Sequence, residues 1–81
     1  MTINEKISLL RRNANMSQEE LAEKLDVSRQ TVSGWESGKV VPAADKVLAL
    51  SELFNVSTDF LLRDTEEYVT AVIPEDFEED T

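Results

Sequence analysis

The stretch from Ser17 to Lys39, SQEELAEKLDVSRQTVSGWESGK, most constrains what this chain can fold into, because it sets two helix starts, a turn and a helix stop close together. Ser17 and Glu20 form a capping-box pair, in which each side chain satisfies an orphan N–H at a helix start. A helix is expected from Gln18, with Leu21, Ala22 and Leu25 as a narrow apolar stripe packed on one side. Asp26-Val27-Ser28 interrupts it. Aspartate is among the few non-glycine residues that tolerate a left-handed backbone, Val27 can pin the turn to a core, and Ser28 can cap the next helix. That helix should run from about Arg29 to Ser37, bury Val32 and Trp35, partly cover Glu36, and stop at a left-handed Gly38. Arg29, Gln30, Ser33 and Gly34 are then left facing outward.

The flanking sequence supplies three more helices. Thr2 with Glu5 is a second capping box, and Ile3, Ile7 and Leu10 recur at helical spacing, so a first helix is expected from about Ile3 to Asn13, ended by Asn13 and Asn15. Lys39-Val40-Val41-Pro42 reads as an extended connector, since the residue before a proline is pushed out of the helical region. Pro42 sits at or just before a fourth helix over Ala44–Phe54, where Val47, Leu48, Leu50, Leu53 and Phe54 are apolar, and Asn55 with Val56 ends it. Ser57 caps a short fifth helix carrying Phe60, Leu61 and Leu62. The apolar residues of these last two helices are all assigned to the core. The expected class is all-α, five helices in one small domain whose core is modest at 81 residues.

Composition narrows the chemistry. The chain has neither cysteine nor histidine, which excludes disulfides and thiolate zinc sites and would leave a transition metal with carboxylates alone. No cofactor is expected. Glu19, Glu20, Glu23 and Asp26 have the spacing of a solvated helix face rather than of a paired-carboxylate site, so an enzyme is not expected. No apolar run approaches the ~20 residues needed to span a membrane, and MTINEKISLL lacks signal-peptide form, which points to a cytoplasmic protein with no membrane partner.

The net charge of −9 is unevenly spread: residues 1–62 carry seven basic and nine acidic side chains, whereas residues 63–81 set Arg63 against eight acids. A near-neutral domain can still bind a polyanion where basic groups and helix N-termini converge on one face. Two segments are therefore expected, 1–62 as the folded domain and 63–81 as an acidic tail. Within the tail, Tyr68–Ile73 is β-branched and aromatic and reads as a strand or docking peptide, and the terminal PEDFEEDT has the composition of disorder.

A helix, a turn of three or four residues and a second helix at a steep angle is the helix-turn-helix motif. The run from Met16 to Pro42 resembles the Cro/CI type of this motif, also called phage-repressor-like or Xre. The matching residues are Ser17-Gln18 before Leu21-Ala22, Val27-Ser28 at the turn, Val32-Ser33, Trp35-Glu36, Gly38 and Pro42. The resemblance extends from about Ile3 to Leu62. It implies a compact five-helix phage-repressor-like bundle, followed here by the acidic extension. It further implies a sequence-specific regulator of transcription that binds a pseudo-palindromic site on double-stranded DNA as a homodimer, its recognition helices ~34 Å apart.

On that resemblance Ser28, Arg29, Gln30, Ser33 and Gly34 are the candidate base-contacting residues, with Arg suited to bidentate contact with guanine and Gln with adenine. Gln18, Ser37 and Lys39 are the candidate phosphate contacts. Arg11 and Glu36 match a pair that forms an internal ion pair in related domains. Gly34 departs from the family, which often carries a longer polar or basic side chain there: either a contact is absent, or the backbone comes close to something. Repression by covering a promoter is the simpler outcome for a chain with no separate effector domain. The rival is an antitoxin-like or adaptor protein whose segment 63–81 binds a protein partner, with DNA binding secondary.

Overall fold

The structure is a computed structural model that describes residues 1–63; the expectations for Tyr68–Ile73 and for PEDFEEDT lie outside the described residues. Among the described residues there are five helices and no strand: α1 (Ile3–Asn13), α2 (Gln18–Leu25), α3 (Arg29–Ser37), α4 (Ala44–Phe54) and α5 (Thr58–Leu62).

Local chemistry sets these boundaries. Thr2, Ser17, Ser28 and Ser57 each accept a backbone N–H from three residues on, and the boxes at Thr2–Glu5 and Ser17–Glu20 are both closed by the returning glutamate. Helix ends are equally specified. The positive-φ residues of the described chain are Asn15, Asp26, Gly38 and Asn55, at +59°, +59°, +83° and +56°, and each stands just past a helix. Three are Asn or Asp, whose short polar side chains make this region accessible without glycine. α4 has no side-chain cap; buried Pro42 and extended Ala43 lead the chain into it instead.

The core is a single cluster. Ile7 from α1, Leu21, Ala22 and Leu25 from α2, Val32 and Trp35 from α3, Val47 and Leu50 from α4 and Leu61 from α5 are all buried, with Ile3, Leu10, Met16, Val27, Leu53 and Phe54 packed around them. Each large member contributes ~1.5–3 kcal/mol through removal of apolar surface from water.

The assignment of every apolar residue of α4 and α5 to this core needs correction. Leu48 remains 52% exposed, Phe60 43% and Leu62 62%. Leu48 lies one residue from Val47 and two from Leu50, so at 100° per residue it points off the Val47–Leu50–Phe54 stripe. In a single turn carrying Phe60-Leu61-Leu62, only the middle residue can point inward.

Two lysines do structural work that the sequence reading did not assign. Lys6 is 2% exposed, and its ammonium donates to the main-chain carbonyls of Phe60 and Arg63 while standing 4.6 Å from the centroid of the Phe60 ring. It therefore holds the last turn of α5 against α1, satisfying carbonyls that a helix end leaves open. Lys46 Nζ donates to Leu25 O at 2.8 Å and does the same for α2 from α4.

Candidate nucleic-acid interface

α2 and α3 are joined by a turn of three residues, Asp26-Val27-Ser28. Asp26 adopts φ 59°, ψ 46°, which reverses the chain while its own N–H and that of Val27 return to α2 carbonyls. Val27 packs against the core, and Ser28 closes the turn by accepting the Thr31 N–H at 3.1 Å. With Val32 and Trp35 buried, the opposite face of α3 is committed to the surface.

That surface brings most of the candidate contact residues together. Arg29, Gln30, Ser33, Gly34, Ser37 and Lys39 line one open depression of about 250 Å³. Ser28 lies outside this set, and its hydroxyl is shared between the Thr31 N–H and, at 2.9 Å, the Thr31 hydroxyl. The first turn of α3 carries no acid, whereas α1, α2, α4 and α5 each begin with at least one. The positive end of the α3 dipole is thus left uncompensated beside Arg29, which favours approach of an anion.

Gly34 is where the backbone comes close to something. After Gly38 the chain folds back, and the Lys39 and Val40 N–H groups both donate to Gly34 O, at 3.0 and 3.1 Å, with Ser37 Oγ at 3.2 Å. Val40 thereby packs against Gly34, where a Cβ on residue 34 would meet Val40 Cγ2 at 3.1 Å.

Behind the face runs a chain of polar contacts from α1 to the start of α3. Arg11 Nε meets Glu36 Oε2 at 2.6 Å and Arg11 Nη2 meets Glu36 Oε1 at 3.1 Å, a fork that Arg11 extends by donating from Nη1 to Met16 O at 2.7 Å. The two side chains are only 14% and 9% exposed. Gln18 Nε2 donates to Glu36 Oε1 at 3.0 Å, and Gln18 Oε1 accepts from Arg29 Nη1 at 3.4 Å. A carboxylate only accepts and a guanidinium only donates, so these neighbours dictate which way the Gln18 amide faces. One amide hydrogen is left for an external acceptor.

Burial raises the pKa of Glu36, but the hydrogen bonds from Arg11 and Gln18 and the charges of Arg11 and Arg12 outweigh it and hold the carboxyl below its ordinary range. The hydrogen bond to Glu36 raises the pKa of Arg11 against the opposing effect of burial. Among the described residues no helix is long and apolar enough to cross a membrane, and no acidic group is clustered for a metal ion.

A capped pair of helices with a left-handed three-residue turn, one helix buried on one face and polar on the other, defines a helix-turn-helix domain. Residues 7–61 match the family described as Helix-turn-helix. The chain belongs to that family, in its Cro/CI or Xre form. It is 47% identical over 62 residues to the HTH-type transcriptional activator BcrR of Enterococcus faecalis, covering 76% of this chain and 30% of that protein. It is 39% identical over 62 residues to the HTH-type transcriptional regulator ImmR of Bacillus subtilis (strain 168), covering 76% and 49% respectively. The chain thus spans half or less of the length of these relatives. Among solved structures, the P22 c2 repressor in complex with a synthetic operator superposes with a TM-score of 0.74 at 30% identity, over 78% of this chain and 96% of that one.

Proposed function

We propose that this protein regulates transcription by binding a pseudo-palindromic operator as a homodimer, with α3 laid in the major groove. The observation that carries the reading is the convergence of Arg29, Gln30, Ser33, Gly34, Ser37 and Lys39 on one open face of a helix whose opposite face is buried. Arg29 and Gln30 stand in the first turn, where a recognition helix reaches base edges, and Lys39 stands past its last turn, where the phosphates run. Gln18 supplies the remaining amide hydrogen, and the α2 N-terminus its N–H groups, to a phosphate on the other side. The likeness to a repressor solved with operator DNA supports this placement.

Occupancy of such an operator represses when it overlaps a promoter. One relative, 30% of which is covered by the match, is an activator, so the DNA-binding domain alone does not fix the sign of the effect. A DNA partner places the protein in the cytoplasm. Residues 1–62 form the DNA-binding unit in this reading, and 63–81 an acidic extension whose charge opposes phosphate.

The test is selection of sites from a random duplex pool by the purified chain. Enrichment of twofold-related half-sites with centres ~10 base pairs apart is expected. Recovery of no consensus, or of one half-site without its mate, contradicts the reading.

A further inference from the structure

Beside the polar groups of the recognition face stands one apolar group that belongs to no helix. A Cβ placed on Gly34 would lie 3.1 Å from Val40 Cγ2 and 3.5 Å from Val40 Cβ, so the isopropyl group packs directly against Gly34, a few tenths of an ångström too close for a side chain there. On the surface of α3, Gly34 lies between Gln30, four residues before it, and Ser37, three after. Val40, beyond the end of α3, packs against the Gly34 member of that row. It is held there by main chain, through its own N–H and that of Lys39 to Gly34 O at 3.1 and 3.0 Å. Yet the packing leaves Val40 49% exposed, a β-branched apolar side chain next to a depression lined by Arg29, Gln30, Ser33, Ser37 and Lys39.

We propose that Val40, seated on Gly34, is a specificity-determining residue that contacts the C5-methyl group of a thymine in the operator. The inference rests on the α3-in-groove reading above. In the major groove thymine presents an O4 acceptor and that methyl, and an apolar side chain reads the methyl, which cytosine lacks. The polar residues around Val40 can hydrogen-bond to base edges or phosphates, but none offers a branched hydrocarbon surface. Gly34 is the enabling residue: with no Cβ it lets the connector supply, from outside the recognition helix, the contact that the helix itself lacks.

The experiment takes the duplex selected by the full chain and replaces each thymine singly by uracil, which removes the methyl and leaves the hydrogen-bonding edges intact. For the parental protein, one thymine in each half-site is expected to show a threefold to fivefold loss on conversion to uracil, the scale of about one buried methyl. Val40→Ala should bind thymine and uracil duplexes equally at that position and keep the parental ratio at every other. Val40→Thr, which preserves shape and β-branching, should reduce the ratio, and Gly34→Ala, whose Cβ must push the isopropyl aside, should reduce it without loss of thermal stability. A thymine-to-uracil ratio unchanged in Val40→Ala, or a parental protein indifferent to uracil everywhere, overturns the proposal while leaving the groove placement standing. Failure to select any sequence overturns the placement, and this inference with it.

Discussion

The Gln18 amide, at the first position of α2, donates to Glu36 Oε1 at 3.0 Å on the one side and accepts from Arg29 on the other. A single side chain thus connects a nearly buried ion pair to the first residue of α3. Gln18→Ala should release Arg29 to sample other rotamers and remove one donor from Glu36, leaving the capping box at Ser17–Glu20 in place. Affinity for the selected site should fall by ~1–2 kcal/mol, with thermal stability lowered by ~1 kcal/mol or less. Titration of selected and scrambled duplexes, alongside a melt, checks both; equal loss on both duplexes would assign Gln18 to phosphate contact only.

Trp35 is 2% exposed and meets the core from the last turn of α3. Emptying a buried aromatic site costs ~3–5 kcal/mol against a total stability of ~5–15. Trp35→Ala should therefore unfold or nearly unfold the domain, seen as loss of the cooperative transition in far-ultraviolet dichroism. Near-parental melting would place the indole on the surface.

The depressed pKa of Glu36 gives a pH dependence with a definite sign. A carboxyl that titrates lower folded than unfolded adds stability above its unfolded value, near ~4.3 for glutamate, and that contribution disappears as pH falls through the folded value. Glu36→Gln should melt below the parent at pH 7, and the gap should close as pH drops below the ordinary glutamate range. Glu36→Ala should cost more, ~2–3 kcal/mol, because it leaves the Arg11 guanidinium with Met16 O alone in a site 14% exposed, short of the ~3–5 of a fully buried pair. Melting midpoints from pH 7 to 2.5 provide the comparison; a constant gap would contradict the sign.

Truncation after Arg63 removes eight acidic residues and no basic one. Charge of that sign close to a DNA-binding face competes with phosphate, most strongly where screening is weakest. The truncated chain should bind the selected duplex more tightly than the full chain at low salt, with the advantage shrinking as salt rises. Identical affinities across the series would show that the tail's charge does not reach the DNA face.

Most helix boundaries were legible because they are written in residues that act on their own backbone: Ser17 with Glu20 at the start of α2, Asp26 at its end, Gly38 past α3. The buried side of α3 was legible from Val32 and Trp35 at helical spacing. Lys6 was not, because its acceptors are main-chain carbonyls 54 and 57 residues away, which carry no sequence signal; the available hint was a charge at i+3 from Ile3 and four before Leu10, inside the apolar stripe. Lys46 escaped for the same reason, its acceptor Leu25 O being 21 residues distant. Gly34 could be flagged as anomalous from its place on the outward face, but what fills the space required knowing that the chain folds back after Gly38 to set Val40 there. Leu48, Phe60 and Leu62 were misassigned because hydrophobicity identifies which residues can be buried and not which have room to be.

The central claim is that the outward face of α3 reads base sequence, and the most direct measurement is the affinity of Arg29→Ala, Gln30→Ala and Lys39→Ala for a panel of single-position operator variants over a salt series. Arg29→Ala and Gln30→Ala should each lose ~1–3 kcal/mol on the selected site and relax the preference at one position, whereas Lys39→Ala should weaken every duplex about equally and reduce the salt slope by about one. If Arg29→Ala and Gln30→Ala leave both affinity and site preference at the parental values, α3 is not the reading helix and the account of this face is wrong.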